Sequence, residues 1–189
     1  IARFISSLPH RPVVAAFTAT ATELVRDDIT EKLGLCAPFR IVTGFDRPNL
    51  NFEVHSPRQK KDALIDFIRQ RHDKSGIVYC QTRRNVEKIC DFLNENGFAA
   101  TRYHAGLDDG ERVRNQEDFV YDRKSIMVAT NAFGMGIDKS DVRIVVHYDI
   151  PDALEQYYQE AGRAGRDGLK SYAVLLTTPS SVEQLVSIT

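Results

Sequence analysis

The run Gln159-Glu160-Ala161-Gly162-Arg163-Ala164-Gly165-Arg166-Asp167-Gly168 closes an amphipathic segment and sets two arginines three residues apart among three glycines. A guanidinium is always charged, and its planar fork matches phosphate oxygens in pairs. At i and i+3 on a helix end, two such groups share a face and can converge on one polyphosphate. A surface helix stopping at Gly165 or Gly168, its arginines solvated, would carry the same residues. A second glycine-rich loop lies one strand earlier, Ala132-Phe133-Gly134-Met135-Gly136-Ile137-Asp138. Its glycines let backbone N–H groups approach a phosphate with no Cβ in the way.

Outward from these loops the chain alternates apolar strand-like runs with helical ones. Phe52–His55, 76–80, 99–104, 126–130, 143–148 and 172–177 read as strands. Between them lie a helix from Pro57 with Leu64, Phe67 and Ile68 inward, one from Arg83 to about Asn96 with Val86, Ile89, Cys90 and Leu93 inward, and a charged one from Asp108 to Tyr121. Pro151-Asp152 opens the helix that leads to the arginines, with Asp152 and Glu155 spaced as a capping box and Leu154, Tyr157, Tyr158 and Ala161 as its inward stripe. Pro179 starts a final helix. Ahead of this rhythm stand strand-type runs at 12–18 and 39–43, flanking a helix with Val25, Ile29 and Leu33 that ends at Gly34. The punctuated stretch 44–50 marks a crossing between two bodies, residues 1–50 and 51–189. Apolar strands separated by helices predict an α/β fold with a mostly parallel sheet covered on both faces. In such sheets ligands gather at the carboxyl ends of the strands, an edge from which the loop after Thr130 and the segment around Arg166 would both be reached.

Composition sets outer bounds. A net charge of −1 excludes DNA binding by bulk charge, so any nucleic-acid site must be a local arrangement. Cys36, Cys80 and Cys90 form no Cys-x-x-Cys pair, and five scattered histidines lack metal-ligand spacing, so no metal site is read. No apolar run reaches membrane-spanning length, which sets the expectation of a cytoplasmic, membrane-free protein, nucleoid-associated or nuclear according to its host.

The two glycine-rich stretches resemble motifs V and VI of superfamily 2 helicases, most closely those of the RecQ family. Gln159, Gly162, Arg163 and Arg166 match the Gln-x-x-Gly-Arg-x-x-Arg signature. Further strings carry the likeness along the chain: Phe17-Thr18-Ala19-Thr20-Ala21 (motif III), Phe45-Asp46-Arg47-Pro48-Asn49-Leu50 (the interdomain linker), Ile77-Val78-Tyr79-Cys80-Gln81-Thr82-Arg83 (motif IV) and Tyr103-His104-Ala105-Gly106-Leu107. The resemblance implies the tail of one RecA-like domain joined to a complete second one, the helicase C-terminal domain. It assigns Arg166 as arginine finger, Arg163 as its γ-phosphate-orienting companion and Gln159 as the residue that positions them. Gly136 and Asp138 would join the arginines in the nucleotide site. Thr82, Arg83, His104, Thr130, Asn131, Gly134 and Met135 would follow single-stranded DNA, and Thr18 and Thr20 would couple the two ligands. Thr82 serves equally well as a helix N-cap, and His104 as a satisfied structural histidine.

These residues hold no Gly-x-x-x-x-Gly-Lys-Ser/Thr run and no Asp-Glu dipeptide. ATP and Mg²⁺ are therefore expected mainly on the other domain of an intact enzyme, with no cofactor on this piece, which alone is expected to be inactive. In the family the zinc-binding and winged-helix modules lie downstream. The expected activity is that of a 3′–5′ DNA helicase acting on single-stranded and partly duplex DNA. A non-catalytic single-strand-binding module, a doubly wound domain for a phosphorylated small molecule and an RNA helicase of the same superfamily are the alternatives.

Overall fold

The computed structural model describes residues 1–18, 21–42, 47–71, 74–134 and 139–178. It divides between Asp46 and Arg47 into two units. The first holds α1 (Ala2–Ser7) and α2 (Glu23–Lys32), the latter capped by Thr22, whose hydroxyl accepts from the Val25 N–H at 3.4 Å. Gly34 follows α2 in the left-handed region at φ +59°, as expected of a helix terminator. The runs at 12–18 and 39–42 are not strands. Strand backbone needs a hydrogen-bonded neighbour, and neither run has one among the described residues. Val13, Phe17, Phe39 and Ile41 accordingly stand exposed.

The second unit continues as β1 (Leu50–His55), α3 (Lys60–Arg69), β2 (Gly76–Tyr79), α4 (Arg83–Glu95), β3 (Ala100–Tyr103), α5 (Asp109–Val120), β4 (Ile126–Ala129), β5 (Ile144–His147), α6 (Leu154–Ala161) and β6 (Ser171–Leu176). Its six strands form one sheet in the order β1-β6-β5-β2-β4-β3, with every pair parallel. The strands β2, β4 and β5 are buried at every position, which is why they read as unbroken apolar runs.

Right-handed crossovers fix the faces. The connections through α3 and α4 progress one way across the sheet, and those through α5 and α6 progress the other, so the two pairs of helices cover opposite faces. The core divides accordingly. Leu64, Ile68, Val86, Ile89 and Leu93 pack with Val78, Val128 and Val146 on one side. Phe119, Ala161, Ala164 and Phe133 pack with Ile77, Tyr79, Met127 and Val145 on the other. Leu93 and Val86 are wholly buried, and truncating Leu93 to alanine is worth about 2–5 kcal/mol.

Local signals explain most boundaries. Thr82 caps α4, its hydroxyl accepting from the Asn85 N–H at 3.1 Å, and Asp108 caps α5 by accepting from the Glu111 N–H at 2.9 Å. Two expectations fail. The third helix starts at Lys60, three residues after Pro57. The helix α6 has Ala153 at its N-cap and no capping box, because Asp152 instead accepts a 2.8 Å bond from the Gln81 side chain. Leu154, expected inward, is 77% exposed, whereas Glu160 is buried. The Glu160 carboxylate is held by His147 at 2.9 Å and Gln156 at 3.0 Å, which offsets its desolvation. Pro179 and the helix expected after it lie outside the described residues. Among the described residues no helix is long and apolar enough to cross a membrane.

Candidate nucleotide and nucleic-acid site

Tyr79 is level with both Ala129 and His147 across the sheet, and Tyr103 is level with Ala129. The loops that follow these strand ends therefore leave one edge side by side. They carry Thr82 and Arg83, His104 to Gly106, and Thr130 to Gly134.

In the first of them Thr82 caps α4, and Arg83 is exposed. Arg83 lies over Gly106, where a Cβ would come within 2.9 Å of its Nη1. His104 does not face outward as expected for a strand contact. It is 4% exposed, and both ring nitrogens are in use. Its Nδ1 accepts from the Gly106 N–H at 3.1 Å, which leaves Nε2–H to donate to Glu87 at 2.7 Å. Glu87 also binds Arg102, which reaches Glu111 at 3.0 Å. His104 therefore shapes the turn under Arg83 instead of offering its ring to a ligand.

Thr130 is 8% exposed, and its hydroxyl accepts from the Ala132 N–H at 3.4 Å, while Asn131 is exposed. Phe133 anchors the glycine loop in the core, its ring 5.0 Å from Tyr103 and 5.9 Å from Phe119. The Tyr79 hydroxyl donates to the Phe133 carbonyl at 3.0 Å. At the far end of the loop Lys139 is buried between Asp122 at 2.8 Å and Asp141 at 3.0 Å. Met135, Gly136 and Asp138 lie outside the described residues, as does Thr20. Thr18 is exposed in the first unit.

The arginines are not on a helix. The helix α6 ends at its C-cap Gly162, and Arg163 and Arg166 occupy the turns that follow. Nor does the later part of this segment, from Gly165, sit at the carboxyl edge. The eight residues of α6 rise about 12 Å, roughly the length of a four-residue strand, and α6 returns the chain to the other end of the sheet. There the Gly165 N–H donates to the Val142 carbonyl at 2.8 Å, at the amino end of β5. Ser140 meets the turn there, its carbonyl accepting from the Asp167 N–H at 3.3 Å.

A clamp that the motif reading missed holds this turn. Arg47 donates to the Ala164 and Gly165 carbonyls at 3.1 and 2.8 Å and to Gly162 at 3.4 Å. These carbonyls belong to the turn that follows the helix end, and that of Gly165 also accepts from the Gly168 N–H at 3.0 Å. Asn49 donates to the Gly165 and Leu169 carbonyls at 2.8 and 3.0 Å. Arg143 grips Asp167, with one bond at 2.9 Å, and lowers that carboxylate below its ordinary range. Gly165 has φ +62°, and a Cβ there would lie 2.5 Å from Asn49 Nδ2 and 2.6 Å from Ser171 Oγ. Gly165 and Ala164 are buried, and Arg166 beside them is exposed. Arg47 and Asn49 stood in the string taken for a linker, and their side chains were the available signal.

Arg163 points the other way, into the glycine loop. Its Nη1 donates to the Gly134 carbonyl at 2.7 Å, and a Cβ on Gly134 would sit 2.5 Å from its Nη2. Its Nε is buried with no hydrogen-bond partner among the described residues. Gln159 is exposed on the last turn of α6. Beside this contact a cleft of about 40 Å³ opens among Gln81, Asn131, Asp149 and Glu160, far below the roughly 300 Å³ of a small-molecule pocket. At this edge the second unit offers surface-held cations and backbone groups.

The comparisons agree with this architecture. Residues 59–168 match the family model described as helicase conserved C-terminal domain. The chain is 46% identical over 175 residues to the ATP-dependent DNA helicase RecQ of Bacillus subtilis, covering 93% of this chain and 30% of that protein. It is 44% identical to the RecQ helicase of Pasteurella multocida, covering 97% of this chain and 29% of that one. A putative ATP-dependent RNA helicase of Acanthamoeba polyphaga mimivirus is 43% identical over 89% of this chain and 31% of its own length. The fold matches that of Saccharomyces cerevisiae Dbp5 bound to RNA and ADP BeF3 at a TM-score of 0.75 and 23% identity, covering 99% of this chain and 50% of that one. The chain spans under a third of the length of these curated relatives. It belongs to the helicase conserved C-terminal domain family, and RecQ helicases are among the relatives it is most similar to.

Proposed function

We propose that the chain works as the second motor domain of an ATP-dependent 3′–5′ DNA helicase, completing an ATP site held mainly by a first RecA-like domain. The observation that carries this reading is the turn at 162–169. Arg47 and Asn49 hold its backbone carbonyls and Arg143 holds the Asp167 carboxylate, so the exposed Arg166 is presented from a rigid base. A finger arginine needs that base: charge spreads over the γ-phosphate oxygens in the transition state, and a correctly placed guanidinium is worth about 10³–10⁵ in rate. Arg163 is the companion that orients the γ-phosphate, with its buried Nε donor in reserve, and Gln159 positions the pair. Gly136 and Asp138 complete the nucleotide side. Mg²⁺, bound with ATP, supplies neutralisation of the phosphates from the other domain.

On the strand side, Arg83, Asn131, the Gly134–Met135 backbone and Thr82 follow the DNA phosphates, while Thr130 and His104 hold the turns that present them. Thr18 and Thr20 belong to the coupling segment of the first domain. The exposed runs 12–18 and 39–42 suit strands completed by that domain's own sheet.

The division of labour is tested on this chain alone. It should hydrolyse no ATP with or without DNA, yet bind single-stranded DNA with a log K that falls by about 0.7 per contacted phosphate against log salt. Turnover by the isolated chain, or binding indifferent to salt, would overturn the reading. The mimivirus relative's description keeps RNA as the second strand type to compare in the same titration.

A further inference from the structure

We infer that Tyr79 is a positioning residue that ties the glycine loop to the arginine turn, and so transmits strand binding at one end of the sheet to the nucleotide site at the other. The inference rests on the motor-domain reading and adds a residue to it.

Tyr79 ends β2 and is 3% exposed. Its hydroxyl donates to the Phe133 carbonyl at 3.0 Å, and the next carbonyl along, that of Gly134, takes the Arg163 guanidinium at 2.7 Å. Two successive carbonyls of one loop are thus held by side chains from two other elements. The ring of Tyr79 stacks on His147 of β5 with centroids 5.5 Å apart and planes 21° apart. His147, wholly buried, meets Glu160 at 2.9 Å, and Glu160 precedes Arg163 by one helical turn. Tyr79 therefore touches both ends of the path, the loop through its hydroxyl and α6 through its ring and His147. Burial drives its phenol far above the ordinary range, although Arg163 pulls the other way, so the hydroxyl remains a donor near neutral pH. A loop that shifts toward a bound strand must carry the Phe133 and Gly134 carbonyls with it. The two side chains then convert that shift into a repositioning of the Arg163 guanidinium, while the clamped backbone of the turn stays in place. Packing alone would require a ring at position 79; the hydroxyl bond is what gives the tie direction.

The test is Tyr79→Phe in the intact helicase, which removes one hydroxyl and keeps the ring. ATP turnover with saturating single-stranded DNA is expected to fall about tenfold, with the KM for ATP and the affinity for the strand within twofold of wild type. In the double variant with Arg163→Lys the loss should not exceed that of Arg163→Lys alone, because both act through the same loop. Replacement of Tyr79 by 4-aminophenylalanine, which restores a donor at that position, should recover most of the turnover. This variant also reads the tie if Tyr79→Phe proves too unstable to assay. Full turnover in Tyr79→Phe, losses that multiply in the double variant, or no recovery with the restored donor would each overturn the inference. A wild-type protein without DNA-stimulated hydrolysis would instead overturn the motor-domain reading beneath it.

Discussion

Arg163 and Gly134, 29 positions apart, are joined by a 2.7 Å hydrogen bond from the guanidinium to the glycine carbonyl. A methyl group on Gly134 would lie 2.5 Å from Arg163 Nη2, the far end of a flexible side chain. Gly134→Ala should therefore cost little stability, under about 1 kcal/mol, because the arginine can swing aside. It should cost function, since the arginine leaves its carbonyl. Thermal unfolding of this chain paired with DNA-stimulated hydrolysis by the intact enzyme checks both halves. A Tm loss of many degrees would show that the glycine serves packing alone.

Gly165 is the opposite case. It has φ +62°, and its missing side chain would collide with Asn49, Ser171 and the Leu169 carbonyl, a backbone atom that cannot yield. Gly165→Ala combines left-handed strain with overpacking and should destabilise the second unit by about 3 kcal/mol. Urea denaturation of the chain measures it, and a change below about 0.5 kcal/mol would contradict the clamp as described.

The Asp167–Arg143 pair gives the turn a pH dependence. The Arg143 hydrogen bonds depress the folded pKa of Asp167 below its unfolded value, so the pair's contribution is complete above the unfolded pKa of about 4 and disappears as pH falls through the folded one. The stability difference between wild type and Asp167→Asn should therefore be constant from pH 7 to 5 and shrink toward pH 3. A difference that grows on acidification would reverse the assignment.

Thiol chemistry separates the three cysteines. Cys36 is exposed, whereas burial pushes Cys90 up to about 11 and Cys80 well above the ordinary thiol range. At pH 8 an aromatic disulfide reagent should titrate one thiol promptly and the other two only in denaturant. Prompt reaction of more than one would show that α4 or the end of β2 opens in the native state.

Much of this was legible in the chain. The apolar runs at 76–80, 126–130 and 143–148 announced a parallel sheet because both faces of those strands are covered, and Thr82 and Asp108 mark helix starts in structure as in sequence. The pattern misled where an apolar run depends on neighbours. Phe39, Ile41 and Val13 have strand composition but no strand beside them among the described residues. It also misled at α6, where a buried carboxylate, Glu160, depends on a histidine 13 residues earlier in the chain. The arginine spacing located the turn but not its support, since Arg47 and Asn49 reach it across more than 110 residues. Such long-range hydrogen bonds leave no periodicity to read.

The central claim, that Arg166 is presented to ATP from a clamped turn, is met most directly by DNA-stimulated ATP hydrolysis in the intact helicase, wild type against Arg166→Ala. The account predicts a fall of several hundred-fold in kcat, approaching the roughly 10³–10⁵ that a finger arginine supplies, with single-strand affinity largely kept. Unchanged turnover with weakened DNA binding would contradict it and move this arginine to the nucleic-acid track.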